Sequence, residues 1–115
     1  MDQFIPEVSD IDVHRIVQRD YALNQHAMIL EMVNKAGQKE KPRIVLACLK
    51  NAKGNLEKLK SQLADASGYW REIISQAEYP NYSKKLFRID QLSGAEQQAI
   101  IDADKSQYLA WLNRD

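Results

Sequence analysis

The chain has 115 residues, of which 44% are hydrophobic and 28% charged, and its 16 basic residues are balanced by 16 acidic ones. This length predicts one domain whose core needs no metal or disulfide support, and the lone cysteine excludes an intramolecular disulfide. A net charge of zero argues against a dedicated nucleic-acid binder, and without a signal-peptide pattern or a long apolar run we expect a cytoplasmic protein with no membrane span.

The first residues predict an extended segment followed by a helix. Pro6 keeps the residue before it out of helical geometry, and the apolar side chains within 1–9 indicate that this segment docks on the rest of the domain. Ser9 or Asp10 suits the N-cap of a helix over 10–19. The apolar face of that helix, at helical spacing, consists of Val13, Ile16, Val17 and Tyr21.

A second helix, over 22–36, is predicted to present a different face. Asp20 falls inside the apolar stripe of the first helix, where a carboxylate does not belong, and a break at Asp20 explains this. Asp20 would then cap the second helix, and Gly37 would end it as a left-handed C-cap; a single kinked helix is the alternative. The predicted apolar face consists of Leu23, Ala27 and Leu30.

The clearest periodicity in the chain lies in its middle. Apolar residues recur there at steps of three and four, which is the pattern of an amphipathic helix, and Pro42 suits the first turn. We therefore predict one long helix over 42–66, with Gly54 on its outer side at a cost of about 1 kcal/mol relative to Ala. Other helices must cover its apolar face, which predicts a helical bundle. The face consists of Val45, Cys48, Ala52, Leu56, Leu59, Leu63 and Ala66.

Two less regular stretches follow. Ser67 and the glycine after it interrupt the pattern, so a separate helix over 68–78 is predicted, with one bent rod that includes the preceding helix as the alternative. Residues 79–92 contain a proline and several polar residues, which predicts a long connection. A short helical turn is expected within it, around 82–87.

The last helix has the clearest start. Ser93 and Glu96 have the spacing of a capping box, and the helix is predicted over 94–113. Asp104 is atypical because it lies on the apolar face of this helix, and a buried carboxylate needs a cation or several donors; we expect a structural bond from a Tyr, Trp or Arg side chain. The predicted fold is a single all-α domain over 1–115, a bundle of four to five helices.

No catalytic or cofactor-binding motif is recognisable, and no cofactor is predicted. The glycines are isolated, and there is no Cys-x-x-Cys or paired-carboxylate pattern. Cys48 is expected in the core. His14 is expected to pair with Asp10 in solvent and His26 to flank a helix, because neither has the ligand spacing that a metal requires. A small enzyme using Asp104 or His14 is the least favoured hypothesis.

Two surfaces are candidates for binding a partner. The predicted helix over 42–66 carries Arg43 and several lysines opposite its apolar face, with Leu46 projecting among them, which hints at a protein contact. The connection after it combines aromatic and basic residues, which suits recognition of a protein or of single-stranded nucleic acid. Solvated lysines, and tyrosines lying over the end of the bundle, are the simpler interpretations. The candidate residues are Leu46, Lys50, Lys53, Tyr79, Tyr82, Lys84 and Lys85.

Charge is unevenly distributed along the chain. Residues 1–31 are acidic on balance and residues 35–60 basic, which indicates a partner surface or, as we favour, complementarity between neighbouring helices. The leading hypothesis is a non-enzymatic protein-interaction module, either an adaptor, an inhibitor-like protein or a self-associating one. The alternative is nucleic-acid binding through the basic face of 42–66 and the loop 79–88.

Overall fold

Helices joined by short turns make up the fold in a computed structural model, which describes residues 4–35 and 41–115 and, at Leu86 and Phe87, the backbone alone. No strand occurs within these ranges, and the predicted all-α domain is confirmed. The helices are α1 (Asp10–Asp20), α2 (His26–Lys35), α3 (Pro42–Ala52), α4 (Leu56–Glu78), α5 (Pro80–Lys84) and α6 (Gly94–Asn113), with 3-10 turns at Leu23–Gln25 and Leu86–Gln91.

Helix α3 lies in the centre of the core. Every residue from Ile44 to Leu49 is buried, so this helix is covered on all sides rather than along one stripe. Leu46, predicted to project from a charged face, is fully buried. That prediction is wrong because a central helix has no solvent face over this stretch. The apolar faces predicted for α1 and for the middle of the chain are buried as expected, with Leu56 half-buried.

The helix predicted over 42–66 is wrong at its midpoint. Lys53 (φ 53°) and Gly54 (φ 78°) take left-handed backbone conformations, which end α3 and allow α4 to begin at Leu56. Helices α3 and α4 make the most extensive helix-to-helix contact among the described residues. The apolar residues predicted to form one stripe are therefore divided between two helices that pack against each other.

The interruption predicted at Ser67 occurs instead as a bend inside α4. The backbone departs from helical geometry at Tyr69 (φ −121°, ψ 29°). Asn51 of α3 spans this bend, since its side-chain Nδ2 donates to Oε1 of Gln62 (3.1 Å) and to the carbonyl oxygen of Ile73 (3.0 Å). One side chain of α3 thus bonds to both arms of α4.

The predicted break at Asp20 is confirmed, since α1 ends there and a 3-10 turn begins at Leu23. Asp20 does not cap that turn as predicted, because its carboxylate accepts hydrogen bonds from the guanidinium groups of Arg19 and Arg114. The helix end predicted at Gly37 lies outside the described residues.

The predicted apolar face of the second helix is wrong. Helix α2 buries Ile29 and Val33, whereas Leu23 is 85% exposed, Ala27 is exposed and Leu30 is half-buried. The 3-10 turn before α2 has about three residues per turn instead of about 3.6. A count at helical spacing through that turn therefore assigns the wrong phase to α2.

Helix α6 begins as predicted, and a carboxylate on its buried face caps another helix. The Ser93 hydroxyl accepts from the amide of Glu96 (3.1 Å), whose carboxylate accepts from the amide of Ser93 (3.3 Å), so the capping box is confirmed. Asp104 is buried, and its carboxylate accepts from the backbone amides of Asn81 (2.9 Å) and Tyr82 (3.0 Å). It caps the N-terminus of α5, whereas the sequence led us to expect a side-chain partner.

The segment before α1 packs on the domain, as predicted. Phe4 lies with its ring centre 6.1 Å from that of Tyr108, and Pro6 is buried while Ile5 is 64% exposed. The connection predicted over 79–92 contains α5 and the second 3-10 turn, more helical structure than the single turn expected there.

Candidate anion-binding cleft

Arg43, which was predicted to lie on a basic face, forms an ion pair with a buried carboxylate at the end of α4. Arg43 donates from Nε (2.8 Å) and Nη2 (2.7 Å) to the carboxylate of Glu78, and Nη2 also donates to the Tyr79 hydroxyl (2.9 Å). Glu78 is fully buried, and the hydrogen bonds that its carboxylate accepts from Arg43 raise the pKa of the guanidinium. Arg43 and Tyr79 therefore belong to a hydrogen-bond network within the protein.

The other charged and aromatic candidates fall into two groups. Tyr82 and Lys84 belong to α5 and Lys85 directly follows it, and both lysines are exposed. Lys50 and Lys53 lie at the end of α3 and line a cleft to which the first group does not contribute. The structure therefore does not unite the predicted partner surface.

The cleft forms where the end of α1, the turn between α3 and α4, and the end of α6 meet. Its volume is about 550 Å³, which is within the range of small-ligand pockets. The lining has four cationic side chains and one carboxylate. It consists of Arg19, Asp20, Lys50, Lys53, Gly54, Gln107, Trp111 and Arg114.

The turn between α3 and α4 brings its lysine to the end of α1. Lys53 has a positive φ, which side-chain-bearing residues adopt rarely. A Cβ added to Gly54 would lie 3.2 Å from the carbonyl oxygen of Asp20, so the turn approaches α1 closely. This close approach joins residues from two distant parts of the sequence in one cleft.

Arg19 lines the cleft, but its guanidinium is bonded to other residues of the protein. It donates from Nε to the Asp20 carboxylate (2.8 Å) and from Nη1 to the carbonyl oxygens of Trp111 (2.6 Å) and Arg114 (2.8 Å). These carbonyls are at the C-terminal end of α6, where a cation also complements the helix dipole. Its side chain is 9% exposed, so its donors are occupied internally.

Lys50 and Lys53 carry charge that the lining leaves uncompensated. Neither ammonium group makes an ion pair or hydrogen bond with a residue that the structure describes. Lys50 is half-buried, and burial lowers its pKa; the charge of Lys53 acts in the same direction and that of Asp104 in the opposite one. Two neighbouring ammonium groups in a partly desolvated cleft favour the approach of an anion.

The remaining walls of the cleft are fixed by α6. Gln107 donates from Nε2 to the carbonyl oxygens of Ala77 (3.1 Å) and Asp104 (2.9 Å). Trp111 is half-buried, with the Arg19 guanidinium 5.4 Å from its ring centre. Asp20, the carboxylate in the lining, accepts hydrogen bonds from the guanidinium groups of Arg19 and Arg114, which offset its charge. The lining therefore suits binding of an anion better than proton transfer.

The predicted complementarity between the acidic first third and the basic middle is not made by ion pairs. Among the described residues, the pair that joins these two segments is Glu31 with Lys35 (2.9 Å), and both belong to α2. In the described structure, neither lysine at the end of α3 forms an ion pair with an acidic residue of another helix.

The residues weighed for catalysis or metal binding are separate from one another. His14 is exposed, and it forms no ion pair with Asp10 in the described structure. His26 lies with Nε2 2.8 Å from the carbonyl oxygen of Tyr21. Cys48 is fully buried, and burial raises the pKa of its thiol to about 12. Within the described ranges, no group of three or more His, Cys, Asp or Glu side chains is arranged to hold a metal ion.

Four residues of the cleft escaped the sequence analysis, because their roles depend on tertiary contacts. Arg19 and Arg114 lie near opposite ends of the sequence, and Gln107 and Trp111 belong to a helix whose partners were unknown. One local signal was available. A Lys-Gly pair directly after an apolar stretch is typical of a left-handed helix end, which predicts a turn where we predicted a continuous helix.

Comparison of the chain with protein-family models, curated proteins and solved structures finds no match. In the part of the chain that the structure describes, no helix has the length and apolar character needed to cross a membrane. A function is therefore inferred from the charge and geometry of the basic cleft.

Proposed function

We propose that this protein is a non-enzymatic interaction module whose basic cleft binds an acidic segment of a partner protein. The observation that carries this proposal is the pair of ammonium groups, Lys50 and Lys53, that line a concave site without an anionic partner among the described residues. An acidic side chain entering the cleft would gain charge-assisted hydrogen bonds from both.

The partial burial of the site favours a specific contact over a diffuse one. Lys50 is half-buried, so an ion pair formed there is screened less by solvent than one on an open surface. Exposed Lys53 contributes to the rate of association by attracting an acidic partner. Lys50 would thus provide a specific contact with the acidic partner, and Lys53 would speed its association.

Nucleic-acid binding is supported less well. A duplex or a single strand needs phosphate contacts at successive positions along a surface. The continuous basic helix predicted over 42–66 is divided into two helices, and its first cation, Arg43, is bonded to buried Glu78. Lys84 and Lys85 do not line the cleft. These features favour a compact acidic ligand.

Charge reversal tests the proposal. We expect Lys50→Glu/Lys53→Glu to weaken binding of a cross-linked partner by about tenfold or more, because two attractions become repulsions. The matched control is Lys84→Glu/Lys85→Glu, which reverses two exposed lysines at the end of α5. A photoreactive residue at Gln107, in the wall of the cleft, identifies by mass spectrometry which partner peptide enters.

The expected result is a cross-link to an acidic peptide that is lost in the cleft variant and kept in the control. Equal binding by both variants would contradict the proposal, as would loss in the Lys84/Lys85 variant alone. Recovery of nucleic acid, with binding that weakens steeply as salt is raised, would favour the alternative. Cross-links between copies of this chain would replace the acidic partner by self-association.

A further inference from the structure

We infer that the cleft contains a phosphate-monoester subsite formed by Lys50, Lys53 and Arg114. This inference rests on the proposed function, and it specifies the chemistry of the anionic group that the cleft binds. The same chemistry occurs in a phosphorylated side chain and in a small phosphorylated molecule.

The charge of the lining favours a dianionic ligand. Its carboxylate, Asp20, is shared by two guanidinium groups, those of Arg19 (2.8 Å) and Arg114 (3.2 Å). The four cations and one carboxylate leave three positive charges. One carboxylate ligand would neutralise one of them, whereas a phosphate monoester carries a charge of about −1.5 to −2 at neutral pH.

The hydrogen-bond donors of three lining residues also suit a phosphate group. Lys50 and Lys53 project from the end of α3 and the turn that follows it, and Arg114 comes from the end of α6. Arg114 is 62% exposed and reaches Asp20 through one nitrogen, Nη2. Its other N–H donors remain directed to no acceptor in the described structure. A phosphate group has three acceptor oxygens, which match two ammonium groups and one guanidinium.

The size and composition of the cleft also suit a phosphate monoester. A volume of about 550 Å³ is larger than a phosphate group needs, so atoms attached to the phosphate also have room. Trp111 supplies an apolar wall beside the three cations. Burial opposes protonation of Lys50, and a dianion next to this ammonium group offsets that cost.

Fluorescence of Trp111 reports on this subsite directly. Trp70 is the second tryptophan of the chain, and Trp70→Phe makes Trp111 the sole indole. In this background we titrate inorganic phosphate and phosphoserine, with acetate at matched ionic strength as the monoanion control. We expect saturable changes with phosphate and phosphoserine at about millimolar concentrations, and none with acetate.

Variants separate the subsite from a general charge effect. Lys50→Gln/Lys53→Gln is expected to weaken phosphate binding by about tenfold or more, and Arg114→Gln should also weaken it. The control, Lys58→Gln, removes one exposed lysine of α4 outside the cleft and should leave phosphate binding unchanged. An equal loss in the control variant would overturn the inference. Far-UV circular dichroism verifies that each variant is folded.

Two peptides distinguish this inference from the proposed function. They share an acidic sequence and differ in having phosphoserine or glutamate at one position. Binding of the phosphopeptide about tenfold tighter supports both proposals. Equal binding of the two peptides, with no response to inorganic phosphate, overturns the phosphate subsite and leaves the acidic-partner proposal intact. Saturable phosphoserine binding without binding of either peptide supports the subsite, for a small phosphorylated molecule, and overturns the protein partner.

Discussion

The carboxylate of Glu78 is accommodated inside the core through its ion pair with Arg43. Arg43→Met leaves the fully buried carboxylate without a cation, and we expect the free energy of unfolding to fall by about 3 kcal/mol. Arg43→Met/Glu78→Met removes the unpaired charge as well and should recover most of that loss. Urea unfolding followed by circular dichroism measures both variants.

The two variants share the same loss at Arg43, so their difference isolates the cost of the unpaired carboxylate. A double variant no more stable than Arg43→Met would show that packing, rather than desolvation, accounts for the effect. Lys58→Met serves as the surface control, since Lys58 is exposed, and its stability should lie within about 0.5 kcal/mol of the wild type.

At the scale of elements, the turn between α3 and α4 depends on Gly54. Gly54→Ala forces a side chain into a conformation with φ of 78° and places Cβ 3.2 Å from the Asp20 carbonyl oxygen. We expect the free energy of unfolding to fall by about 1 to 2 kcal/mol. The same substitution should weaken phosphate binding, because the turn positions Lys53. Chemical unfolding and the fluorescence titration measure the two effects.

Gly68 provides the matched control within α4. A Cβ there meets no atom within 4 Å, and Ala has the higher helix propensity, so Gly68→Ala should raise the free energy of unfolding by up to about 1 kcal/mol. Opposite signs for the two substitutions are expected. If Gly54→Ala is also stabilising, the left-handed turn is not required for the fold.

The sequence predicted those elements whose signals are local. The capping box at Ser93 and the misplaced carboxylate at Asp20 each specify a helix boundary through neighbouring residues. The boundary between α3 and α4 was missed because Ala52 and Leu56 are separated by one helical repeat, so the apolar periodicity continues through the turn. The cleft was missed for another reason. Two of its lining residues, Arg19 and Arg114, meet only through the tertiary fold, and helical spacing has no information about that contact.

For the whole molecule, buried weak acids make the fold sensitive to alkaline pH. Burial raises the pKa of Cys48 to about 12 and that of Tyr21 to about 12, and it raises the pKa of Tyr108 further. In an unfolded chain these groups ionise between about pH 8.5 and pH 10. From about pH 8.5 upward the unfolded state releases protons that the folded state retains, so these three groups lower the free energy of unfolding as pH rises.

Urea unfolding at several pH values tests this linkage. Between about pH 8 and pH 10 we expect the free energy of unfolding to decrease by about 2 kcal/mol, with the thiol contributing most because it ionises first in the unfolded chain. Cys48→Ala should therefore show a decrease about one third as large, whatever its stability at neutral pH. A flat profile for the wild type, or an equal slope in the variant, would show that Cys48 ionises as easily in the folded core as in the unfolded chain.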